Sequence, residues 1–280
     1  MTERLAISFV IVGVQKAATS TLSALLRSHP QVARARRKEL HFFDDESRDW
    51  ENPDYSEYAA NRTKAHQVIA GDATPSYLFW PTAFERMHRY DPSLKLIASF
   101  RDPIERAFSQ WMMQVDRRGA ALEEFDDLVR AGLGVEDPTM PPWKSGPLRN
   151  RAIVARGFYG HQLRRATSYF PAEQWLMLDF LDVVKRQEVV KKQMTDFLGL
   201  DEFAPVEEGA VKHQTNPAPG RPGPSAEVLR DLAKAYEADL AEFAALSGLD
   251  VSRWATRRLL TGALAAEALA AKLAAKVEGS

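Results

Sequence analysis

The chain has 280 residues, 45% hydrophobic and 27% charged, the balance of a globular protein able to bury a substantial core and not of a disordered one. Its 37 Lys and Arg nearly match its 38 Asp and Glu, so nothing in the charge calls for nucleic acid, and any anion site has to be local. The absence of cysteine excludes disulfides, thiol catalysis and cysteine-ligated metals.

The apolar run from Leu5 to Val14 is too short to span a bilayer, and Glu3 and Lys16 beside it fit neither the basic start nor the cleavage site of a signal peptide. It reads as a buried strand, and the protein as cytoplasmic with no membrane partner. Ala6 to Val12, closed by Gly13, is continuously apolar and β-branched, as in a parallel-sheet strand covered on both faces. Thr19 to Ser28 follows as a helix, with Leu22, Leu25 and Leu26 on one face and His29-Pro30 ending it. Further strands are predicted at Val68–Ala70, Leu94–Phe100 and Trp175–Leu178, and helices from Ile104 to about Arg117 and over Val184–Phe197. Gly132–Gly146 and Ala204–Pro224, rich in Gly and Pro, read as loops. Ser225 then caps a helix through Ala245.

Strands alternating with helices predict an α/β fold with a central, mainly parallel sheet flanked by helices. No linker separates two cores, so the expectation is one domain over 1–254 and an Ala-rich helical tail over 255–280. That tail either packs on its own domain or projects, and a projecting helix would suit a dimer. Charges at Arg257, Arg258, Glu267, Lys272 and Lys276 rule it out as a membrane span.

Three segments carry chemistry. Gly13-Val14-Gln15-Lys16-Ala17-Ala18-Thr19-Ser20-Thr21 leads from a strand into a helix, where free N–H groups and the positive end of the helix dipole make an anion site. Lys16 adds a charge and three hydroxyls add donors; the alternative is a polar turn with a threonine N-cap. It is not a Walker A loop, because Lys16 lies three residues after Gly13 with no glycine before it, which demotes ATP and GTP chemistry. The second segment, Leu96–Ser109, places Arg101 at the carboxyl edge of a strand, facing the crevice in which open α/β sheets bind ligands. An arginine fork with the Ser109 hydroxyl suits a phosphate monoester, although Arg101-Asp102 also suits a local ion pair and helix cap. Arg106 reads as a helix-surface or supporting residue. In the third, Lys38-Glu39-Leu40-His41-Phe42-Phe43-Asp44, Glu39 lies beside two phenylalanines, an environment that raises a carboxyl pKa and suits a general base; the alternative is a solvated loop glutamate neighbouring Lys38.

Val12–Leu22, VGVQKAATSTL, resembles the 5′-phosphosulfate loop of sulfotransferases that use 3′-phosphoadenosine 5′-phosphosulfate (PAPS), nearest the branch of heparan sulfate O- and N-sulfotransferases and bacterial relatives. The resemblance implies a P-loop-like fold, with Lys16, Ala17, Ala18, Thr19, Ser20 and Thr21 around the phosphosulfate. The branch often has glycine at Ala17 or Ala18, and alanine serves there only if positive φ is not required. R-D-P-x-x-R-A-x-S resembles the family's 3′-phosphate motif, mapping Arg101 and Ser109 onto its ligands. Glu39 falls on the family's proposed base, with His41 in reserve. Gly71–Tyr77 resembles a segment placed next to the acceptor, and Ala73, where heparan enzymes commonly carry lysine, weakens the case for a polyanionic sugar.

The resemblance further maps Tyr159 near the nucleotide, with core packing as its alternative, and Arg221 onto a late basic loop over the 3′-phosphate. The function implied is sulfuryl transfer from PAPS, with the product 3′-phosphoadenosine 5′-phosphate (PAP), to a hydroxyl or amine of a small-molecule or carbohydrate acceptor, without a metal. Two other readings stand beside it. An ATP-dependent small-metabolite kinase is opposed by the missing Walker A lysine, and a non-catalytic nucleotide-binding scaffold by the intact Glu39 and Lys16. Trp50, Tyr55, Tyr58 and Trp143, on long loops, either stack on an acceptor or anchor those loops.

Overall fold

Phe9-Val-Ile-Val-Gly13 is apolar on both faces, and both faces are covered: all five residues are buried. In the computed structural model, which describes residues 4–35, 37–118, 122–134, 152–203 and 218–279, this strand is β2. The chain order is β1 (Arg4–Ala6), β2 (Phe9–Gly13), α1 (Thr19–Ser28), β3 (Val32–Arg34), β4 (Ala59–Asn61), β5 (Ile69–Ala73), α2 (Ala83–Tyr90) and β6 (Lys95–Phe100). It continues through α3 (Pro103–Arg118), α4 (Phe125–Leu133), α5 (Tyr159–Thr167), β7 (Trp175–Asp179), α6 (Phe180–Lys185), α7 (Gln187–Leu198), α8 (Ala226–Ser247), α9 (Ala255–Leu260) and α10 (Ala266–Glu278).

Five strands form one sheet in the order β3-β5-β2-β6-β7, every pair parallel, while β1 and β4 make a separate antiparallel ribbon. The chain leaves β2 toward β3 and β5 on one side and later builds β6 and β7 on the other. The carboxyl end of β2 is therefore the topological switch point, where open α/β sheets hold ligands. The strand predicted at Val68–Ala70 runs on through Gly71 and Asp72. Gly71 faces the ring of Phe9 in the paired register, and a Cβ there would lie 2.1 Å from Phe9 Cζ.

Contacts gather the chain into two compact units, Met1–Phe100 with Arg164–Lys212, and Arg101–Leu163 with His213–Ser280. The first holds the sheet and a core of Phe9, Ile11, Leu22, Leu26, Ile97, Leu178 and Met194. The second is helical, and its core joins Phe108 and Trp111 of α3, Phe125 of α4, Leu229, Leu232 and Tyr236 of α8, and Leu269, Leu273 and Val277 of α10. The Ala-rich tail is two helices, α9 and α10, and α10 packs its apolar stripe into the core of the second unit. Arg106 is not at the helix surface: it is wholly buried, donating from Nη1 to Gln110 Oε1 at 2.7 Å and from Nη2 to the Ile153 carbonyl. The helix predicted over Val184–Phe197 is divided at Arg186 between α6 and α7. Trp143, and the predicted loops over 135–146 and 204–217, lie outside the described residues. Among the described residues, no helix is long and apolar enough to cross a membrane.

Candidate active site

The loop after β2 belongs to the first unit. Its turn is docked on β6, where Val14 N–H donates to the Ser99 carbonyl at 2.9 Å and Ser99 Oγ donates to the Ala17 carbonyl. Two residues are left-handed, Lys16 at φ 74° and Ala18 at φ 61°. The condition set by the missing glycine is therefore not met: Ala18 takes the positive φ that glycine adopts freely, at about 1–2 kcal/mol for an L-residue. The strain sets the entry to α1. Ala18 is its N-cap and supplies no side-chain cap, so the first turn presents its amides without a covering side chain and the threonine N-cap does not form. Thr19 and Thr21 are buried, as is Ala17, whose amide donates to the Val14 carbonyl at 3.2 Å.

The Glu39 segment meets this loop through a lysine that the sequence reading passed over. Lys38 Nζ donates to Ser20 Oγ at 2.5 Å and lies 3.1 Å from Glu39 Oε1. On its other side, Glu39 Oε2 is 3.6 Å from His41 Nε2, and His41 Nδ1 is 3.0 Å from Asp44 Oδ2. Asp44 is buried and accepts from Ser76 Oγ at 2.5 Å. A cation, a carboxylate, an imidazole and a second carboxylate thus run in line from Ser20 into the fold.

Phe42 and Phe43 do not surround Glu39, as the sequence suggested. They turn into an aromatic cluster with Trp50, Tyr55, Tyr58, Tyr77 and Tyr90, the loop-anchoring role for those aromatics. Glu39 is 39% exposed, and its carboxyl pKa is lowered from 4.5 to about 2, chiefly by the His41 hydrogen bond, which burial opposes next in size, and further by Lys38. The expected upward shift is reversed because ionic partners, and not apolar walls, face this carboxylate.

Glu39 and His41 are themselves left-handed, at φ 59° and 52°. Asp72 of β5 and residues just beyond the strand hold them there. Asp72 Oδ1 accepts from Leu40 N–H at 3.3 Å, Thr74 Oγ1 from His41 N–H at 3.4 Å, and the Tyr77 hydroxyl from Phe42 N–H at 2.8 Å. Asp72, Thr74 and Tyr77 are all buried, with Tyr58 donating to Asp72 Oδ2 at 3.2 Å. Gly71–Tyr77 is thus the frame of the Glu39 loop. Beside that loop, a cleft of about 310 Å³ is lined by Arg4, Arg37, Arg48, Phe42, Tyr58 and Glu57 among others.

The second motif builds its site in the helical unit. Asp102 caps two helices at once: Oδ1 accepts from Glu105 N–H of α3 at 2.9 Å and Oδ2 from Thr256 N–H of α9 at 2.7 Å. Arg101 Nη2 lies 3.6 Å from Glu105 Oε2, and burial pulls its pKa below the usual arginine value with Glu105 partly offsetting it. Glu105 and Ser109 are one turn apart on α3, so the two mapped ligands flank a carboxylate. Tyr159 is buried against Phe243 and Trp254 and donates to the Arg101 carbonyl at 2.9 Å, a packing role that steadies the turn carrying Arg101. Arg221 is engaged with Glu124 at 3.0 Å and with the Leu122 carbonyl at 2.5 Å, tying its loop to the start of α4.

Residues 7–215 match the sulfotransferase domain family. The heparan sulfate glucosamine 3-O-sulfotransferase 6 of Mus musculus is 32% identical over 195 residues, covering 68% of this chain and 52% of the relative. The heparan sulfate glucosamine 3-O-sulfotransferase 3B1 of Homo sapiens is 28% identical over 203 residues, 68% of this chain and 45% of the relative. The chain thus spans about half the length of these curated relatives. A crystal structure of a sulfotransferase from Alicyclobacillus acidocaldarius superposes at a TM-score of 0.68 with 24% identity, over 89% of this chain and 98% of that one, and shares the fold. With the family matched over most of its length and the α/β fold shared, the chain belongs to the sulfotransferase domain family.

Proposed function

We propose that the protein is a PAPS-dependent sulfotransferase acting on a carbohydrate hydroxyl or amine, with Glu39 as the base. The observation that carries the reading is Lys38, whose ammonium touches both Ser20 of the anion loop and Glu39. With phosphosulfate on the anion loop and Glu39 as base, that contact would stand a cation between the two. The open amides of α1, Lys16 and the hydroxyls of the first turn would hold the phosphosulfate, and Arg101 and Ser109 the 3′-phosphate.

In the step itself, the acceptor oxygen or nitrogen bonds to sulfur as the sulfur–oxygen bond to the 5′-phosphate breaks. The acceptor proton goes to Glu39, and PAP leaves with the bridging oxygen and its electron pair. Lys16 and Lys38 offset the negative charge that grows on that oxygen. Glu39, ionised at neutral pH, receives the proton in concert with this bond change. His41 and the buried Asp44 fix the direction of its carboxylate. The cleft with Arg4, Arg37 and Arg48 beside the loop supports an acceptor bearing an anionic group, as does the heparan sulfate named for the curated relatives.

Calorimetric titration with PAP, with ATP alongside and Mg²⁺ omitted, tests the donor. Micromolar binding of PAP, lost in Arg101→Ala and not matched by ATP, is the expected result. Binding of ATP only when Mg²⁺ is restored, with none of PAP, would return the kinase. In Glu39→Gln, turnover is expected to fall by about 10²-fold or more with PAP affinity retained; unchanged turnover would remove Glu39 from the base role.

A further inference from the structure

His41 stands between two carboxylates. Its Nδ1 lies 3.1 and 3.0 Å from the two oxygens of Asp44, and its Nε2 lies 3.6 Å from Glu39 Oε2. A neutral imidazole carries one N–H, so it can donate to one of these anions only and turns a lone pair on the other. Protonated on both nitrogens, the ring meets an anion at each edge. The Asp44 side chain is fully buried, whereas that of His41 is 43% exposed. A carboxylate removed from water is costly without a cation against it. The ring supplies that cation while staying within reach of solvent, where its proton can exchange.

The groups packed around the ring favour the charged form. Asp44 Oδ2 accepts from Ser76 Oγ at 2.5 Å, and the His41 amide donates to Thr74 Oγ1 at 3.4 Å, so the segment after β5 steadies both partners. Asp72 of β5, a third carboxylate at this loop, is met by Leu40 N–H, the Thr74 hydroxyl and the Tyr58 hydroxyl. Tyr77 is buried, its pKa is raised by burial and then by Asp72, and it stays neutral. On the cationic side, Lys38 Nζ lies 3.1 Å from Glu39 Oε1 and donates to Ser20 of α1. Arg37 and Arg48 of the adjoining cleft meet the Leu40 carbonyl at 2.9 Å and Asp45 at 3.5 Å. Within residues 38–44, two acids stand against one lysine, and a charged His41 evens them. The low pKa of Glu39, for which His41 is the largest cause, agrees with a cation on that side.

We propose that His41 is a positioning residue that works as a doubly protonated imidazolium, holding the Glu39 carboxylate in place by charge, and that loss of its Nε2 proton sets an alkaline limit to transfer. The inference rests on the reading of Glu39 as the base. It also removes His41 as a reserve base, because a ring with both protons has no lone pair to take another. Once the ring is neutral, its remaining proton stays with Asp44. The Nε2 lone pair then faces Glu39 Oε2 and repels the carboxylate from its place.

Nitrogen-15 spectroscopy of the imidazole rings reads the protonation of each ring nitrogen on the full chain, with His41 assigned by its loss in His41→Gln. Both nitrogens should be protonated at neutral pH. In Asp44→Asn, shown to be folded by its thermal melt, the second proton should leave at a lower pH. A wild-type ring carrying one proton at neutral pH overturns the proposal. In kinetics, wild-type kcat should fall about tenfold per pH unit beyond the pH at which the ring loses its second proton. His41→Lys, whose charge persists over that range, should show no such fall, whatever its level of turnover. A fall left unchanged in His41→Lys also overturns the proposal. Unchanged turnover in Glu39→Gln, with the ring doubly protonated, overturns the base reading and leaves the charge of His41 standing.

Discussion

Ala18 is held at φ 61° at the mouth of α1, a conformation that glycine adopts without penalty. Ala18→Gly is therefore expected to stabilise the protein by about 0.5–1 kcal/mol, the relief of strain exceeding the added freedom of the unfolded chain. Urea denaturation measures it, and a loss of stability would refute the strain. Glu39 carries a prediction of the opposite kind, about charge. Its pKa is depressed from 4.5 to about 2 by His41 first and Lys38 next, so its ionised form persists until the pH falls through about 2. Removing a partner raises that value toward 4.5, and the ionised carboxylate, the base of the proposed reading, is then lost at a higher pH. The acid limb of kcat/KM should accordingly move up in both His41→Gln and Lys38→Met, further in the former. A limb that stays in place in both variants would show that Glu39 is not the group titrating.

The Glu39 loop keeps its shape because the end of β5 supplies acceptors for three consecutive amides and a fourth shared one. In Tyr77→Phe, the amides of Phe42 and Phe43, now accepted at 2.8 and 3.4 Å, would be buried without that acceptor. The expected cost is about 1–3 kcal/mol in denaturant titration, with kcat reduced and PAP affinity retained. Equal loss of both would place Tyr77 in general stability and not in positioning. At this scale the sequence was informative about kinds of element and less so about neighbours. The buried run of β2, the helix at Thr19–Ser28 and the Ser225 cap each announce themselves in a local pattern, and the structure has all three. β1, β3 and β4 were missed because a three-residue strand shows no period. Lys38 was passed over for a different reason. Its importance lies in reaching Ser20, eighteen residues away, and nothing in either segment states that contact. The environment of Glu39 was misjudged because adjacency in sequence to Phe42 and Phe43 says nothing of direction once two left-handed residues intervene.

For the whole chain, the formal charge of −1 hides local clustering. Arg4, Arg37 and Arg48 line a cleft of one unit together with Glu57, and in the other Arg101 and Lys272 share Glu105. The last helix is also part of the fold and not an appendage: Leu273 is fully buried, and Leu273→Ala should destabilise the protein by about 2–5 kcal/mol in chemical denaturation. A cost below about 0.5 kcal/mol would mean that α10 detaches in solution. Stability and activity then pull apart at one place. Glu39 and His41 are both non-glycine residues in left-handed backbone, so glycine or asparagine at either position relieves the molecule. A laboratory selection that rewarded heat resistance alone would be drawn to those two codons, and on the proposed reading would return proteins that melt later and lack the base or the imidazole that directs it.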